Sequence, residues 1–584
     1  MELETNQALV WAAHLADIRA AGCLTVQVEG HTLALFSSGE QVYAVDNRCP
    51  HMGFPLQRGT LKDGILTCHW HHARFDLASG GTFDQFADDV RVFPVSIRDG
   101  EVWVDVASHD DPEAHQRQRL RDGLERDIPL VIGKAVIPLL EQTADASEAF
   151  RIGLAFGVRY RQAGWGQGLT MHTCLMNLLP YLRAEDRPRA LYHGLSAVAR
   201  DCAGLPPRFG IRPLPTLSTD LAALKRWFRQ FVEVRDAEGA ERCLVSAVRA
   251  GVDHRQVADM LFAATDHRYL QIGHVADFTN KALEALDVAG WEDAEAVLTS
   301  LVSGYTNADR MEESNAWRHP VDLVTMVEQA FEQLPATLEM NQLRRGTWMG
   351  RDRLVPTLLG EDAQAIADGL LEALREGSTA EELAGAVAYA AALRIARFHL
   401  SNEFGDWDTA LHTFSFAHAI HQGIRRVPSP ELLRGVFDAA MSVYLDRFLN
   451  VPAVRLPEPE SGSPGTNPDM LLEELLALLD REQQVNEAGR LVASFLYSGA
   501  DPDKLLAMVG RVLLREDRDF HTIQTVEAAI RQYVLRREGS VGVHMLVAAA
   551  RYLAAHAPTR RAQGQTYQIA YRLYRGERLF EDPS

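Results

Sequence analysis

Two short cysteine–histidine loops near the N-terminus constrain this chain more than any other feature. Cys49-Pro50-His51 and Cys68-His69-Trp70-His71 together make the pattern C-x-H-x16-C-x-x-H. A fold that holds both loops together brings two thiolates and two imidazoles to one point. That donor set suits a [2Fe–2S] cluster in which Cys49 and Cys68 take one iron and His51 and His71 the other. A zinc knuckle would use the same atoms. Zinc sites, however, normally set both ligands of a pair on one turn, as C-x2–4-C or H-x3–5-H. His72 places another imidazole beside His71, so spacing alone selects His71.

With Gly53, Gly59, Gly64 and the Phe75-Asp76 that follows the second loop, these residues make the segment 8–107 resemble Rieske ferredoxin-type domains. The resemblance implies a small β-domain carrying a [2Fe–2S] cluster. High-potential members of that family bridge the loops with a second cysteine pair, and donate Ser and Tyr hydroxyls to the cluster sulfurs. The corresponding residues here are Phe54 and Trp70 at the bridge, and Ala73 and Phe75 at the hydroxyl positions. Without those donors the reduced cluster is less stabilised, so the expected potential lies near the low end of the range, roughly −150 mV. Such a potential suits electron delivery to an oxygen-using site better than quinol oxidation. His72 stands where the family usually has glycine.

At 584 residues the chain has room for two to four domains. A formal net charge of −20 argues against nucleic acid or an anionic membrane as partner. The six cysteines are scattered, with no disulfide framework, as in a reducing compartment. Met1-Glu2-Leu3-Glu4 lacks the basic and apolar stretches of a signal peptide, and no run of eighteen apolar residues occurs. The expectation is a cytoplasmic protein with no membrane span.

Alternating runs such as Leu24–Val28 and Val102–Val106 predict strands. The charged stretch 108–127 reads as a linker or an exposed first helix. Beyond it, apolar residues recur at i, i+3, i+4 and i+7, which predicts helices to the end. The expected fold is therefore multidomain α and β: a small all-β domain over 1–107, a linker over 108–127, and a large all-α domain. That α domain reads as an internal duplication, with halves at 128–345 and 346–584. Ala240–Asp253 aligns with Ala488–Asp501 without a gap, and the shared Gly-x-Asp predicts a helix C-cap followed by the next N-cap. Met171-His172-Thr173 pairs with Leu411-His412-Thr413, His193-Gly194 with Arg434-Gly435, and Gly273-His274 with Phe520-His521.

The duplication singles out His172, His274, His412 and His521 as candidate catalytic residues. His193, His418, Glu527 and His544 extend the group to a possible second metal site, a non-haem iron centre or an acid–base pocket. The bland alternative for each histidine is a satisfied core residue. His399-x3-Glu403 could chelate or be an ordinary helix-surface pair, and Asp266-His267 reads as a turn cap. Gly168-Leu169-Thr170-Met171-His172 and the stretch Gly405–Ala419 resemble segments of questin-oxidase-like proteins, although Met171 replaces the asparagine usual there. That resemblance implies an all-helical fold and oxygen-dependent oxidation of polyketide-type aromatics.

The resulting expectation is an oxidoreductase in which a Rieske cluster feeds electrons to a histidine-lined helical site. An external NAD(P)H-dependent or ferredoxin reductase would supply them, since no G-x-G-x-x-G follows a strand. A small organic substrate and O2 would be consumed. The alternative is a non-catalytic electron carrier or redox sensor fused to a helical scaffold, with the acidic surface as a docking face.

Overall fold

The computed structural model describes residues 9–107, 112–143, 145–215, 220–265, 268–459, 467–537 and 539–579. Asp266-His267 and His109 lie outside these residues. The chain forms two compact units, one of residues 1–152 with 563–584 and the other of 153–562.

The first unit is built on ten strands: β1 (Leu9–His14), β2 (Cys23–Val28), β3 (His31–Ser38), β4 (Gln41–Asp46), β5 (Thr60–Lys62), β6 (Ile65–Thr67), β7 (Arg74–Asp76), β8 (Val92–Phe93), β9 (Val95–Arg98) and β10 (Glu101–Asp105). They make three antiparallel sheets in the orders β1-β10-β9, β2-β3-β4-β8 and β5-β6-β7. Successive side chains on a strand face opposite ways, and β3 uses both faces. Leu33 and Leu35 enter a core with Val28, Val102 and Val104. Ala34 and Phe36 enter a second core with Leu56, Leu66, Phe75, Cys49 and Cys68. The two loop cysteines are thus part of a packed apolar floor.

The stretch after β10 resolves in favour of a helix. Pro112–Glu125 is helical, and its Leu120 and Leu124, one turn apart, are buried against helix Pro129–Thr143. The first unit therefore runs on past residue 107.

The second unit is helical. Gly251 and Gly499 take left-handed φ of +72° and +75°, as the Gly-x-Asp reading requires. Asp253 then accepts from the amide of Arg255, and Asp501 from that of Asp503, each at the start of the next helix. Helix Gln167–Leu178 packs on Phe520–Leu535, and helix Asp406–Arg426 packs on His274–Ala289. Among the described residues no helix is long and apolar enough to cross a membrane.

Candidate metal centres

The two cysteine loops are built alike. The amide of Cys49 donates to Phe54 O and that of Gly53 to Cys49 O, both at 2.8 Å. In the second loop the amide of Cys68 donates to Ala73 O at 2.8 Å and that of His72 to Cys68 O at 3.1 Å. Closing either loop needs a left-handed residue at the same step, Gly53 at φ +82° and His72 at φ +61°. Glycine fills that step in one loop and a histidine in the other.

The loops bring four donors together. Cys49 and Cys68 are 3% and 1% exposed, and both are free thiols. A hydrogen bond between them pulls the Cys68 thiol down to about 6 and, with burial, pushes that of Cys49 well up. The rings of His51 and His71 meet edge to face with centroids 4.9 Å apart. Trp70 lies against His71, Phe86 against His51, and Phe54 against Trp70. Burial, then Lys134 and His71, lowers His51 to about 4 and keeps it neutral. Its Nδ1 is buried with no hydrogen-bond partner among the described residues, as an atom meant for a metal would be. Ala73 and Phe75 are fully buried and carry no hydroxyl. The set fits a cluster bound through two sulfurs and two imidazoles.

Comparison with known proteins agrees. The Rieske [2Fe-2S] domain family matches residues 8–94. The ferredoxin component of the naphthalene 1,2-dioxygenase system of Pseudomonas putida is 32% identical over 97 residues, which are 16% of this chain and 93% of the ferredoxin. The chain belongs to the Rieske [2Fe–2S] family. Its cofactor is accordingly a [2Fe–2S] cluster. Apoptosis-inducing factor 3 of Homo sapiens is also similar to this Rieske protein, at 26% over 181 residues, which are 30% of this chain and 27% of that protein. The solved complex of reduced oxygenase and oxidized ferredoxin in carbazole 1,9a-dioxygenase includes a chain 26% identical; the match covers 18% of this chain and all of that one, with a TM-score of 0.17.

Outside the Rieske domain, His274, His412 and His521 converge, with ring nitrogens within 4.8 Å of one another. His274 opens helix His274–Ala289, His521 is the second residue of Phe520–Leu535, and His412 lies within Asp406–Arg426. The Nε2 atoms of His274 and His412 are 3.0 Å apart. Two nitrogens at right angles on one metal, each about 2.05 Å from it, would stand about 2.9 Å apart. Burial lowers His274 to about 3 and His412 to about 4, so both present neutral imidazoles at physiological pH. The backbone of Asp408 holds His412. The Asp408 carboxylate accepts from Tyr552 at 2.8 Å and faces His521 Nδ1 at 3.9 Å. His274 Nδ1 is buried with no hydrogen-bond partner among the described residues.

His412 also lines a cavity of about 490 Å³ walled by Tyr269, Trp317, Tyr444 and Phe448. Asp446 reaches into it, fully buried, its carboxyl pushed up to about 7 by burial and one oxygen unpaired. Tyr269, Gln271 and Ile272, on the approach to His274, all take left-handed φ between 42° and 48°. Gly273 follows at +91°, where an added Cβ would fall 2.4 Å from the Cβ of Phe416. Strain of this kind persists only where surrounding packing enforces it.

The other candidates lie elsewhere, so the expected group of eight divides. His418 is six residues past His412, which on a helix means about 9 Å along the axis as well as a turn of 120°. Its Nδ1 meets Gln532 at 3.0 Å, and its Nε2 faces Glu527 at 3.9 Å. Glu527 instead joins a buried ion cluster with Lys281, Glu284 and Arg531. Lys281, Glu284 and Arg531, with His421 beside Gln532, make up a second buried polar group that sequence reading misses. A signal exists for Lys281, a lone lysine seven residues past His274 on the same apolar stripe. His172 is fully buried between Gly153 and Gly194, where a Cβ would fall within 2.8 and 2.6 Å of its ring nitrogens. Its ring is not among the three that converge. His193 sits on helix Arg187–Cys202 beside Tyr192, and His544 meets the Tyr389 hydroxyl at 2.7 Å. His399 and Glu403 fall in a turn and bond within it, to Ser401 and Asp406.

Proposed function

We propose that this protein is an oxidoreductase in which the Rieske cluster supplies electrons to a metal-binding triad of His274, His412 and His521, where an organic substrate is oxidised with O2. Cys49, His51, Cys68 and His71 are the cluster ligands in this reading. The cluster, when bound, takes up and releases one electron at a time. Insertion of one oxygen atom from O2 into a substrate consumes two electrons and two protons and yields water, so each turnover draws twice on the cluster. An external reductase supplies those electrons.

One observation carries the proposal: His412 belongs both to the triad and to the wall of an aromatic-lined cavity. The two neutral imidazoles 3.0 Å apart suit a non-haem metal such as iron. His521, facing Asp408, would complete the set as third ligand. The cavity selects a small aromatic molecule, and the buried Asp446 carboxyl, raised to about 7 by burial, is poised to exchange a proton or a hydrogen bond with a polar group of that molecule. The relative that functions as the ferredoxin component of a dioxygenase system, and the resemblance to questin-oxidase-like proteins, point the same way. The two-half reading of the helical region is part of the proposal. His274 with His521, Asp277 with Gln524 and Glu284 with Arg531 meet in pairs, each 247 residues apart.

The test is metal stoichiometry on the full chain. More than two iron atoms per chain, with the excess lost in His412→Ala while the reduced cluster keeps its EPR signal near g 1.9, is the expected result. An unchanged metal content in His412→Ala would reduce the triad to packing residues and leave an electron carrier on a helical scaffold.

A further inference from the structure

Lys134 is the unexpected member of the cluster's surroundings. It lies on helix Pro129–Thr143, beyond the 8–94 that match the Rieske family. The helix thus lies outside the segment that carries the cluster-binding loops of the family. The Lys134 side chain is 8% exposed, and Nζ donates to Pro50 O at 2.5 Å and His51 O at 2.8 Å. Those carbonyls belong to the first cysteine loop. The ammonium is therefore held against the backbone between two of the cluster's ligands.

Two further groups set its charge balance. Asp88 stands 3.5 Å from Lys134 Nζ, and Arg119 Nε stands 3.4 Å from the other Asp88 oxygen. The trio carries a net single positive charge. Reduction adds an electron to the cluster, so a fixed positive charge nearby favours the reduced form. Burial weakens solvent screening of that effect. Neither Ala73 nor Phe75 offers a hydroxyl, whereas this ammonium places a buried positive charge directly against the carbonyls of the first loop.

We propose that Lys134 is a positioning residue that fixes the first cysteine loop and raises the reduction potential of the cluster, so that a helix outside the family's segment tunes the electron affinity of the Rieske domain. This rests on the reading of Cys49, His51, Cys68 and His71 as the ligands.

The test is a redox titration of the full chain followed by EPR, with iron content as a second readout. Lys134→Met is expected to weaken the reduced form at least tenfold, a fall of about 59 mV for a one-electron couple. Asp88→Asn removes the opposing charge and is expected to move the potential the other way. Lys134→Arg keeps the charge and is expected to stay near the parent value. A purely structural Lys134 would not produce shifts of opposite sign. Unmoved potentials, or two shifts in the same direction, overturn the proposal. If Lys134→Met fails to load the cluster, Asp88→Asn decides alone: a potential that stays or falls overturns it. Failure of the ligand reading looks different, because the parent protein would then lack the cluster signal altogether.

Discussion

His72 occupies backbone space that favours glycine, at φ +61°, in a loop whose twin uses Gly53 for the same step. A left-handed non-glycine residue costs roughly 1–2 kcal/mol, of which glycine's greater freedom in the unfolded chain returns a part. His72→Gly should therefore stabilise the Rieske domain by about 0.5–1 kcal/mol, measured by denaturant unfolding of the cluster-loaded protein. Its ring is exposed and His71, not His72, faces His51, so the EPR spectrum should be unchanged. A lost or altered signal would mean that His72 takes part in binding.

Among the helices, the buried Lys281 bonds Glu527 at 2.8 Å and Glu284 at 3.0 Å, while Arg531 pairs with both carboxylates. Asn177 from a third helix donates to Glu284 at 2.9 Å and to Glu527 at 2.8 Å. Removing one partner of such a cluster leaves an uncompensated charge, so Lys281→Met should cost about 3–5 kcal/mol in chemical denaturation. Adding Glu527→Leu to that variant should recover much of the loss; a further loss of similar size would show the two residues to be uncoupled. The cysteine loops are legible in the sequence because metal chemistry fixes both residue type and spacing. His274, His412 and His521, which sequence reading singles out by aligned positions, lie close together in the structure. His172 shares that signal but is not among the three, and its close packing against Gly153 and Gly194 depends on residues that no local pattern reveals. Lys134 gives no local sign at all, since its partners are carbonyls 83 and 84 residues away.

For the whole molecule, buried titratable groups set the response to acid. His274, His412, His421 and His544 are lowered to between about 3 and 4, and His418 is likewise lowered well below its usual range, all chiefly by burial. Each stays neutral when folded but gains a proton near pH 6.5 when unfolded. Their contribution is present above pH 6.5 and is lost as pH falls toward the folded values. Asp277, Asp438 and Asp446, raised to about 7 by burial, act in the opposite sense: what they contribute is present below about 4 and lost as pH rises through 7. The histidines outnumber these carboxyls, so unfolding at pH 5 should take up on the order of two protons per chain, and stability should fall from pH 6.5 toward 4. Calorimetry in buffers of differing ionisation enthalpy measures that uptake, and net proton release would contradict it.

The pairs at a constant separation of 247 residues mean that helices His274–Ala289 and Phe520–Leu535 run in the same direction, in phase. Their contacts record phase, while the connecting segments record only length. Loops between them are free to drift by insertion and deletion over generations. A single residue inserted between His521 and Gln524 is another matter: it would rotate every later pair by about 100° at once. An insertion there would therefore break the His274–His521 register and the ion cluster in one step.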